Sequence, residues 1–291
     1  MRGRKPPQPM IFHFGIKRAN INNIVSFVLL VALSAAFILP LFWMITTSLK
    51  PIDQLLLDPP VWIPNPLEFE NYPNALEEQP FLQYLGNSLQ IAVAAVIGAI
   101  ISNSLVAYGF SRVEWKGRDV VFVLVLSTLM LPYHVVMIPL FVSFSKIGWV
   151  NTWLPLIVPA WLGHPFFIFM LRQFMLGIPK ELSEATRIDG GSEWVLLTRV
   201  ILPLCKPALA TVALFQFIWS WNDFIGPLIY LNDRDLYPMS LGLALYHNSQ
   251  GITDFSILMA ASTMAVVPII LIFFFMQRVF IQGISLTGLK G

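Results

Sequence analysis

Residues Ile178–Pro207 read IPKELSEATRIDGGSEWVLLTRVILPLCKP, a polar island between two long apolar runs. The spacing predicts two short helices joined by a hinge. Pro179 suits a first helical position, where its missing N–H has no partner to lose. Glu181 and Glu184 follow in the first turns, where negative charge complements the helix dipole. Ile178, Leu182, Ala185 and Ile188 recur at steps of three or four and form one apolar stripe. Gly190 and Gly191 stop this helix, Ser192 suits the cap of the next, and Trp194, Leu197 and Val200 carry the second apolar face. Pro203 is expected to end the pattern. Such a segment fits an amphipathic loop lying on a membrane surface, or a handle for another protein.

The flanks explain why a membrane enters at all. The chain has 291 residues, of which 56% are hydrophobic and 12% charged, with mean hydropathy +0.71. A soluble domain carries about 25% charged residues, so the composition points to an all-α polytopic membrane protein. Six apolar runs are long enough to cross a ~30 Å hydrocarbon core. They are Ile24–Thr46, Leu85–Ala107, Val120–Phe141, Trp153–Met175, Ala208–Leu231 and Ile257–Met276. The first is too long for a cleaved signal peptide, whose apolar region has about 7–15 residues. Pro132, Pro139, Pro155, Pro159, Pro165, Pro227 and Pro268 fall inside the runs, which membrane helices tolerate when neighbours satisfy the freed backbone groups.

Orientation follows from Lys and Arg. With the N-terminus inside, the arm (Arg2, Arg4, Lys5, Lys17, Arg18), the 108–119 loop, the island and the tail take nearly all of the 18 basic residues. Outside fall only Lys50, Lys146 and Arg234. Both termini and the island are therefore expected in the cytoplasm. The outer loop 47–84 is long and Pro-rich, either a passive connector or a cover for the outer mouth.

The chemistry that is missing narrows the function. Gly283–Gly288 has the spacing of a phosphate loop, but Leu289 stands where the Lys should be, so no ATP hydrolysis is expected from this chain. His13, His134, His164 and His247 are dispersed, without metal-ligand spacing. No nucleophile motif appears; neither catalytic nor metal residues are assigned, and no nucleic-acid partner is expected. The lone cysteine, Cys205, excludes an internal disulfide.

One acid lies well inside an apolar run: Asp223, in Trp219-Ser220-Trp221-Asn222-Asp223-Phe224. A charge at the bilayer centre costs about 2.5–3.5 kcal/mol on insertion scales, so such a residue faces a cavity or a partner. Aromatic rings beside amides suit a sugar, whose apolar ring faces stack while its hydroxyls hydrogen-bond. Gln216, Trp219, Asn222 and Asp223 are the candidate pathway residues. The competing reading is a satisfied hydrogen bond between helices, or an Asp near the outer interface. His164 and Asn103 stand under the same two readings.

Beyond these physical readings, Glu184-Ala185, Asp189-Gly190 and Val200-Ile201-Leu202-Pro203 together resemble the "EAA" loop of ABC-importer permeases, with Thr186 and Val200 departing from the usual Ala and Ile. The resemblance runs along the chain through Thr46–Pro51, Glu70-Asn71-Tyr72, Asn87-Ser88-Leu89, Ala107–Arg112, Trp221-Asn222 with Pro227-Leu228, and Met276–Arg278 to Gly291. The pattern is similar to the second, six-span permease of maltose-type importers.

The resemblance implies a type I permease core of five helices plus an extra N-terminal helix. The arm would be 1–23, the first helix 24–46, the outer loop 47–84, the core 85–279 with coupling helices 178–203, and the tail 280–291. It implies a prokaryotic plasma-membrane sugar importer built from this chain, a sister permease, two ATPase subunits holding ATP and Mg, and an extracytoplasmic solute-binding protein. Glu184, Ala185, Asp189, Gly190 and Pro203 would couple to the ATPase. A secondary transporter driven by an ion gradient is the alternative; it predicts more intramembrane acids and an internal repeat.

Overall fold

The computed structural model describes residues 21–246 and 254–287. The arm before Ile21, His247 and Gly288–Gly291 lie outside the described residues. Among the described residues there are helices and turns but no strand.

Helix α1 is Ile21–Thr47, α2 Asn71–Glu78 and α3 Phe81–Ser111. Next come α4 (Arg118–Ser127), α5 (Tyr133–Lys146), α6 (Leu154–Trp161) and α7 (Pro165–Leu176). The island supplies α8 (Glu181–Ile188) and α9, the segment Glu193–Leu204. Then follow α10 (Lys206–Asn222), α11 (Ile225–Tyr230), α12 (Met239–Leu243) and α13 (Phe255–Thr287). Four helical stretches are long and apolar enough to span a membrane: 24–47, 81–111, 154–176 and 255–277. Two further pairs pass only as bent units, α4 with α5 at 98° and α9 with α10 at 77°, so the described residues hold four spans, or six if each bent pair counts as one.

The sequence expectation needs correction at the breaks. The run Val120–Phe141 is not one rod; the chain turns at Leu131-Pro132, because the residue before a proline is driven out of the helical region. The run Ala208–Leu231 divides at Asp223 into α10 and α11. The last helix does not end at Met276 but runs to Thr287, so most of the expected tail is helical.

Helix α3 is the hub, packing against α2, α4, α6, α7, α10 and α12. Its inward face is built from small residues: Ala92, Ala95, Ala99 and Ala107 are all buried. Small side chains let helices approach closely where no hydrophobic effect drives them together, and polar atoms then bond across the gap. Ser102 Oγ donates to the Ala160 carbonyl at 3.1 Å, and Trp161 Nε1 donates to that of Ala94 at 3.1 Å. Helix α1 stands apart, with its residues from Ile24 to Leu39 exposed, and leans on α13.

The loop 47–84 is folded rather than slack. Lys50 is 2% exposed, and its Nζ sits 3.8 Å from the centre of a Trp43 ring. Burial lowers the Lys50 pKa, and the ring face offsets part of that cost. Asn71 Nδ2 donates to the carbonyls of Ser48 and Lys50, each at 3.0 Å, and Ser256 Oγ donates to that of Lys50 at 2.8 Å. These bonds tie the end of α1 to the starts of α2 and α13. Asn71→Ala removes two of them inside the protein, where an unmade bond costs about 1–3 kcal/mol. A lowered melting temperature of the detergent-purified protein is the expected result; an unchanged one would show that water replaces the amide.

Candidate functional site

Two places gather the chemistry. The first is the island. Ser192 caps α9 as its sequence suggests, its side chain accepting from the Val195 N–H at 3.3 Å. The turn between α8 and α9 is made by Gly190 at φ +77°, a left-handed conformation that side chains with Cβ resist. Gly191 N then donates to the Thr186 carbonyl at 2.9 Å and closes the end of α8.

Other parts of the island differ from the expected pattern. Pro179 is not the first helical residue; α8 opens at Glu181, after Lys180. Pro203 does not end the second helix. The stretch Leu196–Ile201 is a π-helix, with Leu202 N bonding back to the Leu197 carbonyl, and the wider turn carries the chain through Pro203 to a break at Cys205. Widened turns of this kind concentrate at functional sites. The extra residue per turn also rotates the apolar face, so Leu196, Leu197 and Ile201 are buried while Trp194 is 65% exposed.

The apolar stripe of α8 is turned away from the core. Ser183 is the buried residue of the helix and Ile178, which opened the predicted stripe, is buried ahead of it, whereas Leu182, Ala185 and Ile188 are exposed, Ile188 by 86%. Glu181, Glu184, Ala185 and Ile188 share the outward side, and Asp189 is exposed at its end.

The inward side is held by groups to which the sequence reading assigned no role. Tyr108 Oη donates to Glu193 Oε2. Glu193 Oε1 accepts from Arg187 Nε at 2.9 Å, and Arg187 Nη2 lies in ion-pair contact with the same oxygen at 2.9 Å. The Tyr108 hydroxyl first, and Arg187 with it, hold the Glu193 carboxyl below the ordinary glutamate value against the opposing effect of burial. The bound carboxylate therefore stabilises the fold above that ordinary value, and the contribution is lost as pH falls through the lowered one. Arg112, just beyond α3, donates to the carbonyls of Met175 and of Ile178 (2.7 Å) and to Ser183 Oγ (3.3 Å). The sequence signal was slight: a tyrosine and an arginine closing an apolar run.

The second place is a cavity of about 770 Å³ between α5, α6, α10 and α11. Gln216, Trp219, Asn222 and Asp223 all line it, with Tyr133 and His164. The indole of Trp219 stacks on the buried Phe167 at 4.8 Å and 21°, and it is 43% exposed. One ring face is thus taken by packing, and the indole still presents surface. Gln216 Nε2 donates to Ser220 Oγ at 3.0 Å and Asn222 Nδ2 to the Ile218 carbonyl at 2.9 Å, which fixes both amides against their own helix. Asp223 Oδ1 accepts from the Gly226 N–H at 3.0 Å, and its carbonyl accepts from Ser240 Oγ at 2.6 Å. It caps α11 at the break as well as lining the cavity. Asn103 does not line it; its Oδ1 accepts from the His164 N–H at 2.7 Å and braces the break between α6 and α7.

With both sites described, comparison with known proteins adds the family. The chain is 37% identical over 257 residues to the arabinooligosaccharides transport system permease protein AraQ of Halalkalibacterium halodurans, covering 87% of this chain and 91% of that one. It is 34% identical over 256 residues to the trehalose/maltose transport system permease protein MalG of Thermococcus litoralis, again 87% and 91%. A chain of a bacterial ABC transporter involved in the import of the acidic polysaccharide alginate shares the fold at TM-score 0.79 and 24% identity, over 89% of this chain and 96% of that one. The profile described as "binding-protein-dependent transport system inner membrane component" matches residues 95–286, a range that takes in both the island and most of the cavity wall, and the chain belongs to that family.

Proposed function

We propose that this chain conducts sugar through a prokaryotic plasma membrane as one permease of an ATP-driven importer. The observation that carries the reading is the outward stripe of α8. An amphipathic helix ordinarily turns its apolar side to the core, yet here Ile188 and Trp194 are exposed and Ser183 is buried. A lipid surface is a poor match for that side. Glu181 and Glu184 stand among its apolar residues, whereas helices that lie on anionic membranes carry Lys and Arg on the polar face. A protein groove fits better, and the occupant is an ATPase subunit that holds ATP and Mg.

In this arrangement Glu184, Ala185, Asp189 and Gly190 form the grip, and Pro203 belongs to the continuation into α10. Both termini and the island lie in the cytoplasm. The opposite end meets a solute-binding protein, and a sister permease closes the open side of the cavity. Trp219 offers the platform for a sugar ring; Gln216, Asn222 and Asp223 offer hydrogen bonds to its hydroxyls. This chain supplies no catalytic group; its part is to alternate access around the cavity as the ATPase pair closes and opens.

The test is uptake of labelled arabino- and malto-oligosaccharides by the complete complex in vesicles. Glu184 is exposed, so Glu184→Ala leaves folding and insertion intact. A hydrogen bond to a charged group contributes about 1.5–3 kcal/mol, and uptake should fall roughly ten- to a hundredfold. Gly190→Ala places its Cβ in open space and strains only φ, so it should uncouple in the same assay. Unchanged uptake in both variants refutes the proposal.

A further inference from the structure

The island touches the rest of the molecule through a small set of polar bonds, and they converge on one helix. Glu193 takes Tyr108 of α3 on one carboxylate oxygen and Arg187 of α8 on the other. This single group therefore joins α3, α8 and α9, and the Arg187–Glu193 pair spans the glycine turn that would otherwise be a free hinge. Arg112 makes the second attachment, forking from the end of α3 to the carbonyls of Met175 and Ile178 and to Ser183 Oγ. Its bonds collect the end of α7, the linker and the start of α8. Between the two attachments the apolar contact is continuous, with Tyr108, Leu171, Met175, Ile178, Leu196 and Ile201 in one buried cluster.

We infer that Tyr108 and Arg112 are positioning residues that lock the two island helices into one rigid piece and pass its motion into α3. Helix α3 then distributes that motion, since it packs against α7 and against α6 and α10, the last two of which border the cavity. A hinged island would absorb a push at Gly190; a braced one transmits it. The inference rests on the coupling function proposed above.

Tyr108→Phe deletes one hydroxyl and keeps the ring in its cluster. Arg112→Lys keeps the charge, but an ammonium cannot reproduce the planar fork. The measurement uses the complete complex in vesicles, with labelled arabino- and malto-oligosaccharides as probes. It reads sugar moved per ATP hydrolysed, alongside complex yield and melting temperature. The expected result is a fall in that ratio of about tenfold for each variant, the scale of a hydrogen bond to a charged group, at a temperature where each complex is still fully folded and recovered in normal yield. An unchanged ratio overturns the inference, and so does a ratio that falls only in step with lost stability. Glu184→Ala, measured in parallel, separates the two ideas. If it uncouples and Tyr108→Phe does not, the brace is wrong and the coupling function stands. If neither uncouples, and Gly190→Ala does not either, both fall.

Discussion

Trp219→Ala is expected to lower uptake by about thirtyfold while the binding protein still takes up its sugar with unchanged affinity. The indole is stacked on Phe167 and further surrounded by Phe166 and Phe215. That support holds the ring in one orientation before any ligand arrives, so little side-chain freedom is lost on binding. Buried aromatic anchors of this kind cost about 2 kcal/mol or more on truncation to alanine, which corresponds to the thirtyfold figure. Trp219→Phe retains a ring and should recover most of the rate. A Trp219→Ala complex that transports at the normal rate would remove this chain's wall from the sugar pathway and leave the sister permease to hold it.

Gly242→Ala is expected to destabilise the protein strongly for a change of one methyl group. A Cβ at Gly242 would lie 2.2 Å from Cδ2 and 2.8 Å from Cε2 of Tyr84. Tyr84 is only 1% exposed, enclosed with Phe81, Met239, Ala75 and Tyr246, so its ring has nowhere to go. Overpacking of this sort costs about 1–3 kcal/mol and sometimes more. Gly86 is the control: it lies in the same helix as Tyr84, and an added Cβ there meets nothing. Gly86→Ala should be neutral or mildly stabilising, because alanine is the better helix former by about 1 kcal/mol. Melting temperatures of the purified proteins decide it. If both variants melt like the parent, α12 and α3 are packed more loosely than described.

Much of the architecture was readable from the chain because its causes are local. Six apolar runs are there in the sequence, and the helices follow them, although two runs break and the last helix continues to Thr287. The helix stop at Gly190 and the cap at Ser192 depend on neighbouring atoms, and both stand as read. The aromatic and amide cluster around Asp223 was visible because a carboxylate inside an apolar run is costly wherever it falls. In the structure Asp223 holds the Gly226 N–H at the start of α11 and lines the cavity.

The errors have equally definite causes. Pro203 looked like a terminator because sequence patterns assume an α-helix, and a π-helix precedes it here. The stripe Leu182, Ala185 and Ile188 was legible as a stripe, but periodicity cannot say whether it faces inward or outward. That was settled by Arg112 and Glu193, which draw the opposite side of the island toward α3.

The sequence by itself determined how often the chain enters an apolar medium, which segment stays polar and where the local turns fall. Those follow from partitioning between water and hydrocarbon and from the φ preferences of single residues, which need no distant partner. Only the tertiary structure decided which face of the island is free, that Tyr108 meets Glu193 across 85 residues of chain, and that Tyr133 and His164 face the Trp219–Asp223 cluster across one cavity. Such meetings depend on how the helices pack, and no window of sequence contains both sides of a contact made so far along the chain.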